Sequence, residues 1–254
     1  MGEVLRLHGL GAVVEVTCTG DAGAELFAAM RRPWSRCLVE PALPPVGAPP
    51  LVLRLDDVAQ LTKTLMLATQ DVTRALIGAR AGELLMFHAG AVSDPTTGRS
   101  VVYVARGGTG KTTLSRLLGQ RLGYLTDETV GIDSSGVIHP YPKPLSVRRA
   151  DEPTLKDELS PDELGLLPAP ASARLGRIVL LERSADTDTA TLEELDFMDA
   201  LFGLAEQSSA LPALPRPLHR LAEVIDEVGP LSTLRYGEAG QAAEDLVRLV
   251  GASR

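Results

Sequence analysis

The sequence predicts an α/β protein, with a mixed central β-sheet flanked by helices. Short runs rich in Val, Leu, Ile and Tyr alternate with longer stretches whose apolar residues recur at helical spacing. One such alternation, Ser100–Gly119 (SVVYVARGGTGKTTLSRLLG), passes from a β-branched strand through a glycine-rich turn straight into a helix. The composition, 44% hydrophobic and 23% charged over 254 residues, is that of an ordinary globular chain with apolar surface enough for a packed core.

Taken in order, Val4–Leu7 and Ala12–Val16 are β-prone runs joined through Gly9 and Gly11, which predicts a hairpin. Asp21 stands where an N-cap would open a helix over Ala22–Arg31, and Pro33 ends it. Trp34, the only tryptophan, reads as a core or interface anchor. Pro41–Pro50 (PALPPVGAPP) has too many prolines for a regular element and predicts a loop or polyproline-like connector. A strand over Leu51–Leu55 follows. Asp56 or Asp57 then caps a long helix in which Leu61, Leu65, Ala68, Val72, Ala75, Leu76 and Ala79 share a face. Glu83–Val92 is a nearly continuous apolar strand interrupted by His88, and the polar turn Asp94–Gly98 leads into the next strand, so the two are expected as a hairpin or near neighbours.

Beyond the glycine-rich turn, strands over Leu122–Leu125 and Thr129–Ile132 flank Asp127 and Glu128, with a turn at Asp133–Gly136. His139–Leu145 is proline-stiffened and extended. Asp151–Ala171, acidic and proline-containing, is expected as an exposed, mobile loop with a short helix. Arg177–Glu182 and Leu231–Tyr236 read as strands; Thr191–Gln207, Leu218–Asp226 and Glu238–Val250 read as helices. The expected division is a small N-terminal α+β region, residues 1–56, packed on a larger domain, residues 57–254.

A formal charge of −8 argues against a chain that coats nucleic acid. Cys18 and Cys37 form no C-x-x-C pair and have no histidine cluster nearby, so they predict small buried thiols in a reducing compartment rather than a zinc site. No stretch reaches about 18 apolar residues and no signal-like N-terminus is present, so no membrane partner is expected and the expected location is cytoplasmic.

The chemistry concentrates in Ala105–Thr112 (ARGGTGKT), which matches the phosphate-binding P-loop (Walker A) pattern G-x-x-x-x-G-K-[ST] with alanine at the first glycine. Gly107, Gly108 and Gly110 allow backbone angles that turn successive amides inward as an anion-binding nest. The helix N-terminus adds its unpaired N–H groups at the same point. Arg106, Gly107, Gly108, Thr109, Gly110, Lys111, Thr112 and Thr113 are the expected nucleotide-binding residues. Lys111 would carry charge to the β- and γ-phosphates and Thr112 would ligate Mg²⁺. Asp127 and Glu128 follow at the end of the next strand, where an acid serves as metal ligand or as the base for an attacking hydroxyl; adjacent acids on a strand point to opposite sides unless the strand has ended. Pattern alone leaves His88 open between a hydrogen-bonded core residue and a functional one. Of Arg148 and Arg149, one could reach a phosphate, or both could lie solvated at the surface.

Together, the His88–Ala89 strand, the Arg106–Thr113 loop with its helix, and Thr126–Asp127–Glu128 resemble the C-terminal domain of HPr serine kinase/phosphorylase and its wider set of HPr-kinase-like proteins. Tyr141–Leu145 (YPKPL) adds to that resemblance. It implies the nucleotide-binding fold shared with phosphoenolpyruvate carboxykinase, with His88 near the reacting phosphate, and Lys111, His88, Asp127 and Glu128 as catalytic residues. Thr112 and Asp127 would be the metal ligands, and self-association into a homo-oligomer is implied too. The chain departs from that pattern in having Asp-Glu where the family has Asp-Asp and in lacking a downstream Glu-x-Arg-Gly loop, so the acceptor stays open. The resulting expectation is a kinase dependent on ATP and Mg²⁺ that transfers the γ-phosphoryl group to a hydroxyl of a protein, peptide or small molecule. The alternative is a nucleotide-binding regulatory module or a partner-coupled NTPase with no phosphoryl acceptor.

Overall fold

The structure, a computed structural model, describes residues 2–39 and 47–251, so residues 41–46 of the predicted proline-rich connector lie outside the described residues. The elements in chain order begin with β1 (Glu3–Gly9), β2 (Ala12–Thr19), α1 (Gly23–Arg31), β3 (Leu51–Arg54) and α2 (Leu61–Arg80). There follow β4 (Leu85–Ser93), β5 (Arg99–Val104), α3 (Lys111–Gly119), β6 (Gly123–Thr126), β7 (Thr129–Ile132) and β8 (Val137–His139). Next come β9 (Leu145–Arg148), β10 (Lys156–Leu159), β11 (Ala173–Arg183), β12 (Thr191–Glu194), α4 (Phe197–Glu206) and β13 (Ser208–Ser209). The chain closes with α5 (Pro217–Val228), β14 (Ser232–Tyr236) and α6 (Ala239–Gly251).

The chain divides into two compact units, one of Met1–Arg80 with Tyr141–Leu164 and one of Ala81–Pro140 with Gly165–Arg254. This differs from the expected division after residue 56. The long helix α2 belongs with the N-terminal strands, and so does a segment from the middle of the chain. Nothing local in the sequence marks either assignment, because both are made by tertiary packing.

In the first unit, β1 and β2 form the predicted antiparallel hairpin and β3 adds parallel to β2. Alternation along β1 and β2 buries Leu5, Leu7, Val14 and Val16, while Arg6 and Glu15, cross-strand partners, make an exposed ion pair. Asp21 does not cap α1: the N-cap position is Ala22, whose N–H donates to the Leu55 carbonyl, and the Asp21 N–H itself donates to Asp56 Oδ1. Asp57 does cap, accepting from the Ala59 N–H in a 3₁₀ turn that precedes α2. Helix α2 buries Ala68, Thr69, Val72, Thr73 and Leu76, close to the predicted face. Trp34 is a core residue, tilted against the Tyr141 ring, whose hydroxyl meets Thr73 Oγ1 at 2.9 Å. Both thiols are free and buried, and burial pushes Cys37 up to about 12 and Cys18 to about 11, so neither is a ready nucleophile.

The predicted short helix within Asp151–Ala171 is instead a strand. The period-two sequence Lys-Asp-Glu-Leu of β10 pairs antiparallel with β9, and Glu158 turns inward to accept from the Ser146 hydroxyl at 2.8 Å. Arg149, considered as a phosphate contact, is engaged by Asp151 at 2.9 Å and by Asp157. Lys143 is fully buried and donates to the Pro144 carbonyl.

The second unit is a nine-stranded mixed sheet with the order β12-β14-β11-β5-β4-β7-β8, in which β6 and β13 pair with β4. Strands β14, β11 and β5 are parallel, and β4 returns antiparallel to β5 as the predicted hairpin. β8 pairs with β7 and with the start of β11, so this end of the sheet closes on itself. Period-two alternation divides each central strand between two cores. Val101, Tyr103 and Ala105 face Leu114 and Leu118 of α3 and Leu246 of α6, whereas Val102 and Val104 face Ala200 and Leu204 of α4 and Leu221 and Ile225 of α5. The sheet is therefore sandwiched between helices, as the composition and alternation predict.

The expected helix over Thr191–Gln207 is split. Thr191–Glu194 joins the sheet edge as β12 beside β14, and α4 starts only after Asp196, whose carboxylate accepts from the Asp199 N–H. No helix among the described residues is long and apolar enough to cross a membrane.

Candidate functional site

The second unit assembles the chemistry-bearing residues around the junction of β5 and α3. β5 ends at Val104, the loop 105–110 follows, and α3 starts at Lys111. Two loop glycines are in the left-handed region, Gly108 with φ +85° and Gly110 with φ +100°, the latter at the N-cap of α3. That is where an L side chain is disfavoured, and it explains two of the three glycines. Arg106, Gly107 and Gly108 are exposed, and Thr113 is exposed on the first turn of the helix. The loop braces itself: the Thr109 hydroxyl donates to the Arg106 carbonyl at 2.8 Å, and Arg106 makes an ion pair with Glu206 at the end of α4.

Lys111 is buried, with 6% of its surface exposed, and its Nζ donates to the carbonyls of Ala105 at 2.6 Å and Arg106 at 3.0 Å. The ammonium thus lies under the loop. Burial pulls its pKa down from 10.5 to about 8, with Asp127 and Glu128 opposing the change. Thr112 Oγ1 donates to Asp127 Oδ2 at 2.8 Å, linking the first turn of α3 to the segment after β6. Asp127 is 4% exposed, and its Oδ1 accepts from the Tyr124 hydroxyl at 3.1 Å.

β6 has ended at Thr126, whose hydroxyl accepts from the Glu128 N–H, and the two acids lie in the bend before β7. Asp127 is buried against Thr112, and Glu128 is half-buried with its carbonyl accepting from the Ala89 N–H. His88, on β4, is half-buried beside this bend. Burial and the Lys111 charge hold its pKa below the ordinary 6.5, partly offset by Glu128. Lys111, Thr112, Asp127, Glu128 and His88 are therefore neighbours, drawn from one helix, one strand and the bend between β6 and β7.

Tyrosine hydroxyls that no sequence pattern marks support this arrangement. The chain has four tyrosines, and three of them are buried here with their hydroxyls engaged. Tyr103 meets Ser115 Oγ of α3 at 2.6 Å, Tyr124 holds Asp127, and Tyr236 of β14 donates to the Thr109 carbonyl at 2.8 Å. The only hint in the sequence was their rarity within strands otherwise built from aliphatic residues. Glu206 was likewise unmarked, being 100 residues from the Arg106 that it pairs with.

A cavity of about 850 Å³ opens beside the loop, lined by Arg106, Gly108 and Thr109, by Leu180–Arg183 at the end of β11, by Gly237 and Glu238 after β14, and by Gly203 and Glu206 of α4. It lies at the carboxyl ends of the parallel strands, where α/β sheets offer a crevice for ligands. The oxygen pair of Thr112 and Asp127 suits a hard cation such as Mg²⁺. Among the described residues no group of three or more His, Cys, Asp or Glu could hold a metal, so phosphate oxygens and water would have to complete the coordination, as Mg²⁺ tolerates.

No protein-family model matches the chain, and no curated protein matches it. Among solved structures it is similar to the Hpr(Ser) kinase/phosphatase from Coxiella burnetii, at 12% identity and a TM-score of 0.32, over 64% of this chain and 88% of that one. The likeness is a distant one of fold.

Proposed function

We propose that the second unit is a phosphotransferase that moves the γ-phosphoryl group of ATP to a hydroxyl. The observation that carries the reading is the convergence of a buried Lys111 beneath a glycine loop with the hydrogen-bonded Thr112–Asp127 pair at the same helix N-terminus. The loop amides and the positive end of α3 would receive the phosphates, and Lys111 would turn from the Ala105 and Arg106 carbonyls toward the transferring group. Mg²⁺, held through Thr112 and Asp127, would neutralise developing charge on the phosphate oxygens. In the transfer the acceptor oxygen forms a bond to the γ-phosphorus while the bond to the β–γ bridging oxygen breaks. ADP leaves with that electron pair, and the acceptor proton passes to the carboxylate of Asp127 or Glu128. His88, held below its ordinary pKa, would be a neutral imidazole beside the reacting group.

The test is calorimetric titration of ATP with Mg²⁺ into the wild type, Lys111→Ala and Asp127→Asn, followed by mass analysis for ADP and phosphorylated product after incubation with acceptor panels. Nucleotide binding with a phosphorylated product that both variants lose is the expected result. Binding without any product would replace the kinase by a nucleotide-binding module. A folded Lys111→Ala protein with normal turnover would end the reading.

A further inference from the structure

The negative charge of the chain is not spread evenly. Residues Glu182–Glu206 hold eight carboxylates against a single arginine, Arg183, a net of −7 against −8 for the whole sequence. Some of these carboxylates are engaged: Glu182 and Glu193 by Arg235, and Glu206 by Arg106. Asp186, Asp188, Glu194 and Asp199 are exposed and carry no ion pair among the described residues.

The same stretch exposes large apolar side chains: Leu192 on the edge strand β12, and Phe197, Met198 and Phe202 on α4, the last 64% exposed. Helix α4 buries Ala200 and Leu204 against the sheet, so these aromatics are not needed by the core. Two phenylalanines and a methionine on one ten-residue helix form the kind of patch that marks an interaction surface.

The patch is continuous with the candidate site. At its start α4 borders a groove of about 400 Å³ lined by Glu194, Leu195, Phe197, Ile225 and Leu231. At its end Gly203 and Glu206 line the larger cavity with Arg106, Gly108 and Thr109. A ten-residue helix spans about 15 Å, which an extended polypeptide covers in about five residues.

Charge decides among occupants. A second copy would bring two acidic faces together, and nucleic acid and anionic lipid would be repelled; a polypeptide with apolar residues among lysines and arginines complements both properties of the surface. We propose that Leu192–Glu206 docks a basic, apolar polypeptide acceptor, whose aromatic or aliphatic anchors seat on Phe197, Met198 and Phe202 and whose hydroxyl, about five residues away, reaches the cavity at the loop. The acceptor role rests on the phosphotransferase reading; the docking itself does not.

The experiment is fluorescence anisotropy of a labelled 15-residue amphipathic peptide of lysine, leucine and serine, and of its counterpart with glutamate for lysine, titrated with the full chain without nucleotide. The lysine peptide should bind and the glutamate peptide should not. Raising salt from about 50 to about 500 mM should weaken binding, because the Debye length falls severalfold. Phe197→Ser/Phe202→Ser and Glu194→Lys/Asp199→Lys should each weaken it about tenfold or more while retaining wild-type circular dichroism and ATP binding. Equal binding of both peptides, no binding of the lysine peptide, or folded variants that bind like the wild type would overturn the proposal. So would a concentration-dependent dimer, seen by sedimentation, that Phe197→Ser/Phe202→Ser abolishes, since the face would then belong to a second copy. Peptide binding without ATP binding would sink the phosphotransferase reading alone, and ATP binding without peptide binding would sink the docking surface alone.

Discussion

Replacing each loop glycine by alanine separates backbone requirement from sequence pattern, because the structure treats them differently. Gly110 sits at φ +100°, and a Cβ there would find its nearest neighbour, Tyr236 Oη, at 3.8 Å, an ordinary contact. The cost of Gly110→Ala is thus conformational rather than steric, about 1–2 kcal/mol for holding an L residue left-handed. Gly107 has no left-handed φ and nothing within 4 Å of a Cβ. There alanine only narrows the unfolded ensemble, which stabilises by about 0.4–1 kcal/mol. The two variants should therefore differ by about 2 kcal/mol with opposite signs. Urea unfolding followed by far-ultraviolet circular dichroism is the assay, since Trp34, the sole tryptophan, lies in the first unit and would report on that unit alone. Variants that agree within about 0.5 kcal/mol, or that reverse in order, would refute the loop conformation on which the proposed phosphate-binding role depends.

Three other substitutions probe the framework. Gly90→Ala would put a methyl group 2.1 Å from the ring of Tyr103, its cross-strand partner, and should cost about 1–3 kcal/mol in the same unfolding assay as the ring is pushed off Ser115; unchanged stability would contradict the β4–β5 register. Tyr236→Phe removes the hydroxyl that holds the Thr109 carbonyl and should cost about 1 kcal/mol and weaken ATP binding, with calorimetry showing no change if the loop is held some other way. Asp133 is pushed up by burial but pulled down further by hydrogen bonds from the Ser135 hydroxyl and the Ser135 and Val137 amides and by its contact with His139, and so stands at about 2. Its ionised form therefore stabilises the turn above the ordinary value of 3.8 and loses that contribution as pH falls toward 2. With its side chain 30% exposed, solvent screening reduces the benefit, so Asp133→Asn should cost about 1 kcal/mol at neutral pH, a cost that shrinks on acidification and vanishes as pH falls through about 2; a gap that widens on acidification would reverse the sign.

Much of the second unit was legible because its signals are local. Val101–Val104 must be a strand and Thr113–Leu118 a helix by period alone, and glycine spacing with Lys111 marks the turn between them. Where pattern failed, a competing local reading was equally good. Thr191–Glu194 precedes an apolar helical run and reads as its first turn, yet an open edge beside β14 takes it as a strand. Lys156–Leu159 reads as exposed and acidic until β9 supplies the partner that turns Glu158 inward.

By itself, then, the sequence determined the α/β class, the loop and the neighbours of Lys111 along the chain, because hydrophobic period and glycine placement act over a few residues. Tertiary structure alone decided that Asp127 meets Thr112, that Tyr103, Tyr124 and Tyr236 brace the site, and that α2 joins the N-terminal strands. All but the Tyr124–Asp127 bond, which spans three residues, depend on pairings between segments farther apart in sequence, which no local propensity encodes.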